Sequence, residues 1–353
     1  MSVEQSVEMP LSQQCDLDKI MLSQDPIFVV GYPRSGTTLL QALLATQKNI
    51  YSFPETHFFP VVFSHIRHDP EGHVKSACLR EVLNAITEMT GLHFAQPVIE
   101  HLTVKARMRQ LTPKIIFEFV VYNLLSKQVP DQRMLSIRWL EKTPHHAFHL
   151  DQLSSLYPRA QFVGIIRNPV QTMYSAKTKL GNLTDKVRAT GSLAREWVDC
   201  VTRIDDFTKK NSHRICRTTY EALVQNHRDV MASICAFLDI DFNESELAYF
   251  HKEAPKLILS KEPWKMDVLC PEIRNTNFQY KRGIPMIEIL RVQRIAHQKM
   301  KQHGYRLIYQ QLQRVFNIIS AIVNSFVQKA VLTRHSRDRS EQPDVVQKKR
   351  TPW

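Results

Sequence analysis

Nine glycines are spread over 353 residues, and two of them, Gly31 and Gly36, bracket one short turn, Tyr32-Pro33-Arg34-Ser35. Glycine lets backbone N–H groups turn inward around an anion. Ser35, Thr37 and Thr38 add hydroxyl groups, and Arg34 adds a positive charge. An apolar, β-branched run, Ile27-Phe28-Val29-Val30, leads into the turn, and a helix-forming run, Leu39-Leu40-Gln41-Ala42-Leu43-Leu44-Ala45, follows it. Strand, glycine-bounded loop and helix form the arrangement in which loop amides and a helix N-terminus hold a phosphate. The chemistry to expect here is therefore the binding of a phosphorylated ligand.

The loop departs from the one that hydrolyses nucleoside triphosphates. Where that loop carries Lys before Ser or Thr, this chain has Thr37. Nucleotide hydrolysis also uses an acidic residue to hold Mg²⁺. The best second strand, Gln161–Ile166, ends instead in Arg167, and a cation there repels a metal and attracts a phosphate. The pattern predicts a metal-free site with two cationic centres, suited to a nucleotide phosphorylated at more than one position.

Tyr-Pro-Arg-Ser-Gly-Thr-Thr, followed by a strand ending Ile-Ile-Arg-Asn-Pro and a serine eight residues after that arginine, resembles the PAPS-dependent sulfotransferases. PAPS is 3′-phosphoadenosine 5′-phosphosulfate. The branch resembled carries Arg in the loop and includes tyrosylprotein and bacterial sulfotransferases; the similarity runs over residues 25–308. It implies that Arg34, Ser35, Gly36, Thr37 and Thr38 grip the 5′ phosphosulfate, and that Arg167 and Ser175 bind the 3′-phosphate. Lys179 shares a helix face with Ser175 and stands where the family often has Arg. Tyr220, in Thr-Tyr-Glu-Ala-Leu-Val, resembles a tyrosine near the nucleotide, with a core aromatic as the alternative. Lys281-Arg282-Gly283 resembles a late basic loop over the nucleotide.

The same resemblance implies a general base and charge stabilisers. Sulfuryl transfer requires removal of the acceptor hydroxyl's proton. Glu55, in the turn Pro54-Glu55-Thr56 after a short strand at 50–53, occupies the catalytic glutamate's place. Lys142, in Glu141-Lys142-Thr143-Pro144-His145-His146, would stabilise charge on the departing phosphate together with Arg34. Other members put a catalytic histidine just after that lysine, so His145 is the rival base, although Pro144 shifts its register. A helix cap or a solvated charge is the plainer role for Glu55.

These residues need a frame. Strands over the run from Pro26 to Gly31, at 50–53, over 138–144 where the strand ends in a polar turn, at 161–166 and at 213–219 alternate with helical patterns, which indicates an α/β fold with a P-loop-like parallel sheet flanked by helices. In such sheets ligands bind beyond the carboxyl ends of the strands, where the loop, Glu55, Lys142 and Arg167 all fall. Residues 1–25 read as a flexible lead-in without the basic start and apolar run of a secretory leader. Residues 26–308 read as the catalytic domain, with a mostly helical substrate cap at 57–130 containing Phe58, Phe59, Phe63, Phe94, Phe117 and Phe119, either acceptor lining or core. A helix is expected over 145–157 and another through 238.

An apolar content of 43% suits a globular core. The formal charge is +13, but residues 301–353 hold ten Lys or Arg against three acids, so the body is only mildly basic. Neither zinc-finger spacing nor an RNA-binding aromatic pattern occurs, and nucleic acid is not an expected partner. Six cysteines without Cys-x-x-Cys spacing read as free thiols in a reducing, cytoplasmic setting. Residues 309–333 read as an amphipathic helix: 315–332 is apolar except for a stripe of Asn317, Ser320, Asn324 and Gln328. With the basic tail at 334–353, expected to be disordered, that helix suits either peripheral contact with an anionic membrane or docking on the protein or a second subunit. The expected acceptor is a hydroxyl of a lipid, glycan, small molecule or peptide tyrosine. Two rival readings are a P-loop nucleotide kinase or NTPase, and an inactive relative that binds anions or membranes.

Overall fold

The computed structural model describes residues 20, 22–23, 25–180, 190–273, 275 and 283–308. The expected flexible segment before residue 20, the loop residues Lys281 and Arg282, the amphipathic helix at 315–332 and the tail at 334–353 lie outside the described residues, as does the side chain of Lys179. The chain divides into two compact units, Met1–Lys299 and Met300–Trp353. Residues 300–308 are the described part of the second; the sheet and the candidate site belong to the first.

Five strands form one sheet: β1 (Ile27–Gly31), β2 (Ile50–Ser52), β3 (Arg138–Lys142), β4 (Gln161–Ile166) and β5 (Ile215–Thr219). Their order is β2-β3-β1-β4-β5 and every pairing is parallel. All five residues of β1 are buried, as expected of a central parallel strand covered on both faces. Eleven helices accompany the sheet among the described residues: α1 (Thr37–Ala45), α2 (Leu79–Thr90), α3 (Gln96–Arg107), α4 (Pro113–Leu125), α5 (Leu150–Leu156), α6 (Pro169–Leu180), α7 (Thr190–Lys210), α8 (Tyr220–Gln225), α9 (His227–Leu238), α10 (Phe250–Glu253) and α11 (Met286–Gln302).

Local sequence explains the main boundaries. Pro169 opens α6, where a proline's missing N–H costs nothing. Thr219 caps α8 by accepting from Ala222 N at 3.1 Å. Gly91 ends α2 at φ 70°, in the left-handed region that terminates helices. No helix among the described residues is long and apolar enough to cross a membrane.

Three expectations are corrected. The stretch 57–130 is helical only from residue 79; before that it holds a short 3₁₀ turn at Val62–His65 and an isolated bridge between His68 and Val74. Pro60, Pro70, Gly72 and a positive φ at His57 break the helical period there. The helix expected over 145–157 starts as a 3₁₀ segment, Pro144–His149, because Pro144 constrains its first turn. The helix expected through 238 is two, split at Asn226.

Four phenylalanines of the cap stretch belong to the core. Phe58, Phe59, Phe117 and Phe119 are buried. Phe117 packs edge-on against Trp139 of β3 at 6.1 Å, and Trp139 in turn packs against Phe28 of β1 at 5.7 Å. Each such pair contributes about 0.5–1.5 kcal/mol beyond area burial. This aromatic stack fixes the chain after residue 57 against the sheet.

Gly31 lies where β1 meets β4 most tightly. A Cβ there would stand 2.4 Å from the backbone oxygen of Ile165. Gly31→Ala is therefore expected to push β4 away from β1 and lower stability by about 1–3 kcal/mol, measured by chemical denaturation.

Candidate active site

The loop after β1 has the geometry of an anion cradle. Arg34 has φ 70° and Gly36 φ 92°, and Ser35 N donates to Tyr32 O at 3.1 Å. A Cβ on Gly36 would fall 2.4 Å from Cδ2 of Tyr220, so only glycine lets the loop close against that ring. Thr37 and Thr38 open α1, whose N-terminal amides face the same way as the loop. Ser35 is buried and its Oγ meets no hydrogen-bond partner among the described residues. An orphaned hydroxyl in a glycine-shaped cradle fits a phosphate or sulfate oxygen as its partner.

Around this cradle lies a cavity of about 240 Å³, lined by Arg34, Thr38, Arg167, Ser175, Tyr220 and Lys265 among others. Arg34 spans it: Nε donates to Ser175 Oγ at 3.2 Å and Nη2 to the carbonyl of Trp264 at 3.3 Å. Arg167, directly after β4, is 5% exposed. Its Nη1 donates to Arg34 O at 3.0 Å, and its guanidinium lies 3.9 Å over the Tyr220 ring. Tyr220 is thus both core and cavity wall. Gly283 packs on Tyr174, another wall residue; a Cβ there would come within 2.3 Å of that ring.

Glu55 and Lys142 meet at the carboxyl ends of the neighbouring strands β2 and β3. Lys142 is wholly buried, its Nζ contacts Glu55 Oε1, and it donates to Thr38 Oγ1 at 3.2 Å. Carboxylate, ammonium and anion loop are therefore linked by consecutive contacts. Lys265 Nζ lies 2.6 Å from the same Glu55 oxygen and 2.5 Å from Glu262 Oε1. His57 Nε2 stands 3.1 Å from the other Glu55 oxygen.

Burial alone would raise the Glu55 carboxyl's pKa, but Lys142 and Lys265 outweigh it and hold the group well below the usual carboxylate range. Burial dominates at Lys142 and pulls its ammonium down to about 8, against the opposing pull of Glu55. Lys265, with two carboxylates to offset its burial, is raised instead.

The turn that carries Glu55 is held from below. Glu141, fully buried, accepts from Thr56 Oγ1 at 2.8 Å and from Thr143 Oγ1 at 2.7 Å, and its other oxygen lies 2.7 Å from Nδ1 of the buried His146. His57 N donates to Thr143 Oγ1 at 3.2 Å. Consecutive residues of the turn, Glu55 and Thr56, thus register on consecutive residues of β3, Lys142 and Glu141. Burial raises the Glu141 carboxyl while His146 and the two threonines lower it, and the lowering prevails.

His145 is placed differently. Its Nε2 lies 3.3 Å from Glu196 Oε1 on α7, and its ring stacks on Phe148. Like Glu55 and Lys142 it does not line the cavity, but unlike them it has no contact with Thr38 or Lys265, which do. Ser175 lies on α6 within reach of Arg34, and the backbone of Lys179 follows one turn later on the same helix.

Among the residues that escaped the sequence reading are Trp264 and Lys265, which the 3₁₀ segment Pro263–Leu269 brings to the cavity, Glu262, whose carboxylate contacts Lys265, and Glu272, which lines the same cavity. The available signal was the concentration of a carboxylate, an indole and an ammonium in Glu262-Pro263-Trp264-Lys265. Glu55, His57 and Glu262 also bring three ligand-type atoms within 4.8 Å of one another. Two ammonium groups already lie on these carboxylates, so the donor set suits Lys142 and Lys265 better than a divalent cation.

Comparison with known proteins gives the family and the fold. Residues 26–244 match the model of the sulfotransferase family, and the chain belongs to that family. The fold resembles the sulfotransferase domain of the olefin synthase of Synechococcus PCC 7002 (19% identity, TM-score 0.53, covering 84% of this chain and 98% of that one). It also resembles the sulfotransferase domain from the curacin biosynthetic pathway (20% identity, TM-score 0.52, covering 81% of this chain and 100% of that one). The nodulation protein NoeE of Sinorhizobium fredii is 29% identical over 154 residues, 44% of this chain and 31% of NoeE. The chain spans about a third of the length of the curated relatives it matches.

Lys142 ties ligand affinity to pH. Its ammonium is charged below about 8 and neutral above, so the site loses a positive charge as the pH rises through that value. Titration calorimetry with adenosine 3′,5′-bisphosphate is expected to show affinity falling once the pH passes about 8, and Lys142→Met is expected to abolish that dependence.

Proposed function

We propose that this protein transfers a sulfuryl group from PAPS to an acceptor hydroxyl. The observation that carries the reading is the contact between Glu55 and Lys142, with Lys142 bonded onward to Thr38 at the start of α1. A proton acceptor and a charge stabiliser stand together at the edge of the anion loop.

The residues present fit the donor. Arg34, Ser35, Gly36, Thr37 and Thr38 would hold its 5′ end, and Arg167 with Ser175 its 3′-phosphate, since a guanidinium offers a planar fork to phosphate oxygens. When bound, the donor supplies the sulfuryl group and is left as adenosine 3′,5′-bisphosphate. Glu55 takes the acceptor's proton as the new oxygen–sulfur bond forms. Arg34 and Lys142 neutralise the charge that builds on the phosphate oxygen as its bond to sulfur breaks. His145, engaged with Glu196, is the weaker candidate for the base. The acceptor class follows from the reaction as an alcohol or phenol hydroxyl, whether on a lipid, glycan, small molecule or peptide tyrosine.

Glu55→Gln is expected to reduce transfer from sulfate-labelled PAPS to a panel of such acceptors by about 10²–10⁴-fold. Binding of adenosine 3′,5′-bisphosphate should persist or tighten, because a negative charge has left the site. His145→Ala should retain transfer; the reverse outcome would move the base to His145.

Arg167→Ala tests the nucleotide. Calorimetry without added metal is expected to show roughly tenfold or greater loss of bisphosphate affinity, the cost of one charge-assisted contact. Binding of Mg²⁺-ATP in preference to the bisphosphate would overturn the donor assignment.

A further inference from the structure

Two lysines converge on one oxygen of Glu55. Lys142 is accounted for by its bond to Thr38 and its place at the end of β3. Lys265 arrives from the far end of the chain, on the segment whose Trp264 carbonyl also holds Arg34. Its side chain is 6% exposed, and it lines the cavity that holds Arg34, Thr38 and Arg167.

Such burial is costly for an ammonium unless carboxylates surround it. Lys265 has two, Glu55 and Glu262, at nearly equal distances. Losing one leaves the other in place, so Lys265 can exchange Glu55 for a different anion without becoming an isolated buried charge. Lys142 instead contacts one carboxylate, Glu55, and one hydroxyl, Thr38. Glu262 is itself anchored: its Oε2 accepts from Leu259 N at 3.1 Å, so it stays put whichever way Lys265 turns.

We propose that Lys265 is a further donor-binding cation, which in the free protein caps Glu55 and on donor binding shifts that contact to the donor's 5′ anionic group, with Glu262 as its permanent counter-ion. This role rests on the sulfotransferase reading. Its consequence is that Glu55 becomes a competent base only when the donor is present. In the free protein the carboxylate is shielded by two ammonium groups; once Lys265 engages the donor, the acceptor proton meets a carboxylate with one cation fewer. The device couples proton removal to donor occupancy.

The test separates the 5′ end of the nucleotide from the 3′ end. Adenosine 3′,5′-bisphosphate and adenosine 3′-monophosphate are titrated by calorimetry into wild type, Lys265→Met, Lys265→Arg and Glu262→Gln, with thermal unfolding as a check on folding. Lys265→Met is expected to weaken the bisphosphate by roughly tenfold or more and leave the monophosphate unchanged. Lys265→Arg should restore most of the loss. Glu262→Gln, which leaves Lys265 with one carboxylate, should tighten the bisphosphate alone; this arm decides the matter if Lys265→Met does not fold. In the pH profile of kcat/KM for the donor, which reports the free protein, Lys265→Met should move the acid limb to higher pH, because Glu55 has lost a cation that lowered its pKa; at saturating donor, where Lys265 has already left Glu55, the limb should stay. Equal weakening of both nucleotides, or no weakening of either, would overturn the role of Lys265. If wild type binds neither nucleotide, the failure lies with the donor assignment itself.

Discussion

The site depends on one buried ion pair, Glu55 with Lys142. Burying either charge alone would cost several kcal/mol, and removing one partner from such a pair typically costs about 3–5 kcal/mol. The pair is tolerable because its surroundings are arranged for it. Thr38 Oγ1 accepts a hydrogen bond from the ammonium, while His57 and Lys265 stand on the carboxylate. None of these contacts would form unless the turn at 54–57 met β3 in one register. That register is set by the layer beneath, where Glu141 receives two threonine hydroxyls and faces His146. Because Glu141 and Lys142 are consecutive residues of a strand, their side chains leave on opposite faces. One residue secures the turn while its neighbour serves the cavity.

The parallel sheet explains why residues so far apart in sequence can share a site. With every strand running the same way, the loop after β1, the turn after β2, Lys142 on β3, Arg167 after β4 and Tyr220 after β5 all emerge at one edge. The order β2-β3-β1-β4-β5 puts β1 at the centre, with the β3 side supplying Glu55 and Lys142 and the β4 side supplying Arg167 and Tyr220. In open α/β sheets this is the position at which ligands bind. The phosphate loop lies between an acid–base half and a guanidinium half, and Arg34 reaches across to Ser175 on the latter.

Most of this is legible in the sequence for a physical reason. A glycine-bounded loop, a strand-terminal arginine and a turn glutamate are fixed by their immediate neighbours, so short spacing rules suffice to place them. The β-strands are legible because parallel strands buried on both faces read as unbroken apolar runs. Sequence reasoning fails where structure depends on distant contacts. The stretch 57–130 reads as mostly helical, but its prolines and Gly72 interrupt the part before residue 79, and which strand that part packs on is set by a distant contact, the aromatic stack that joins Phe58 and Phe117 to Trp139. Lys265 escapes because nothing local to Glu262-Pro263-Trp264-Lys265 says which carboxylate it will meet. The phenylalanines of the cap stretch fit core and acceptor lining equally well in sequence, since composition cannot distinguish a buried ring from a ring in a pocket.

The site's own charge, more than the chain's, determines what it can hold. Much of the formal +13 lies after residue 300, outside the segments that line the cavity. Three cations, Arg34, Arg167 and Lys265, and one carboxylate, Glu272, line the cavity; Lys142, Glu55 and Glu262 stand behind them, in contact with Thr38 and Lys265. The cations therefore exceed the carboxylates by one, in surroundings where field lines are poorly screened. A phosphorylated ligand would more than compensate that excess and would satisfy Ser35 Oγ as well. That match is electrostatic and spatial together: one guanidinium sits after β4, the paired lysines lie towards β2 and β3, and Arg34 stands between them. A ligand carrying both of its anionic groups at one end could reach only half of this set. Under the proposed function, cations placed apart in this way suit anionic groups that are themselves apart, which is the property that distinguishes a 3′,5′-substituted nucleotide from a nucleoside triphosphate.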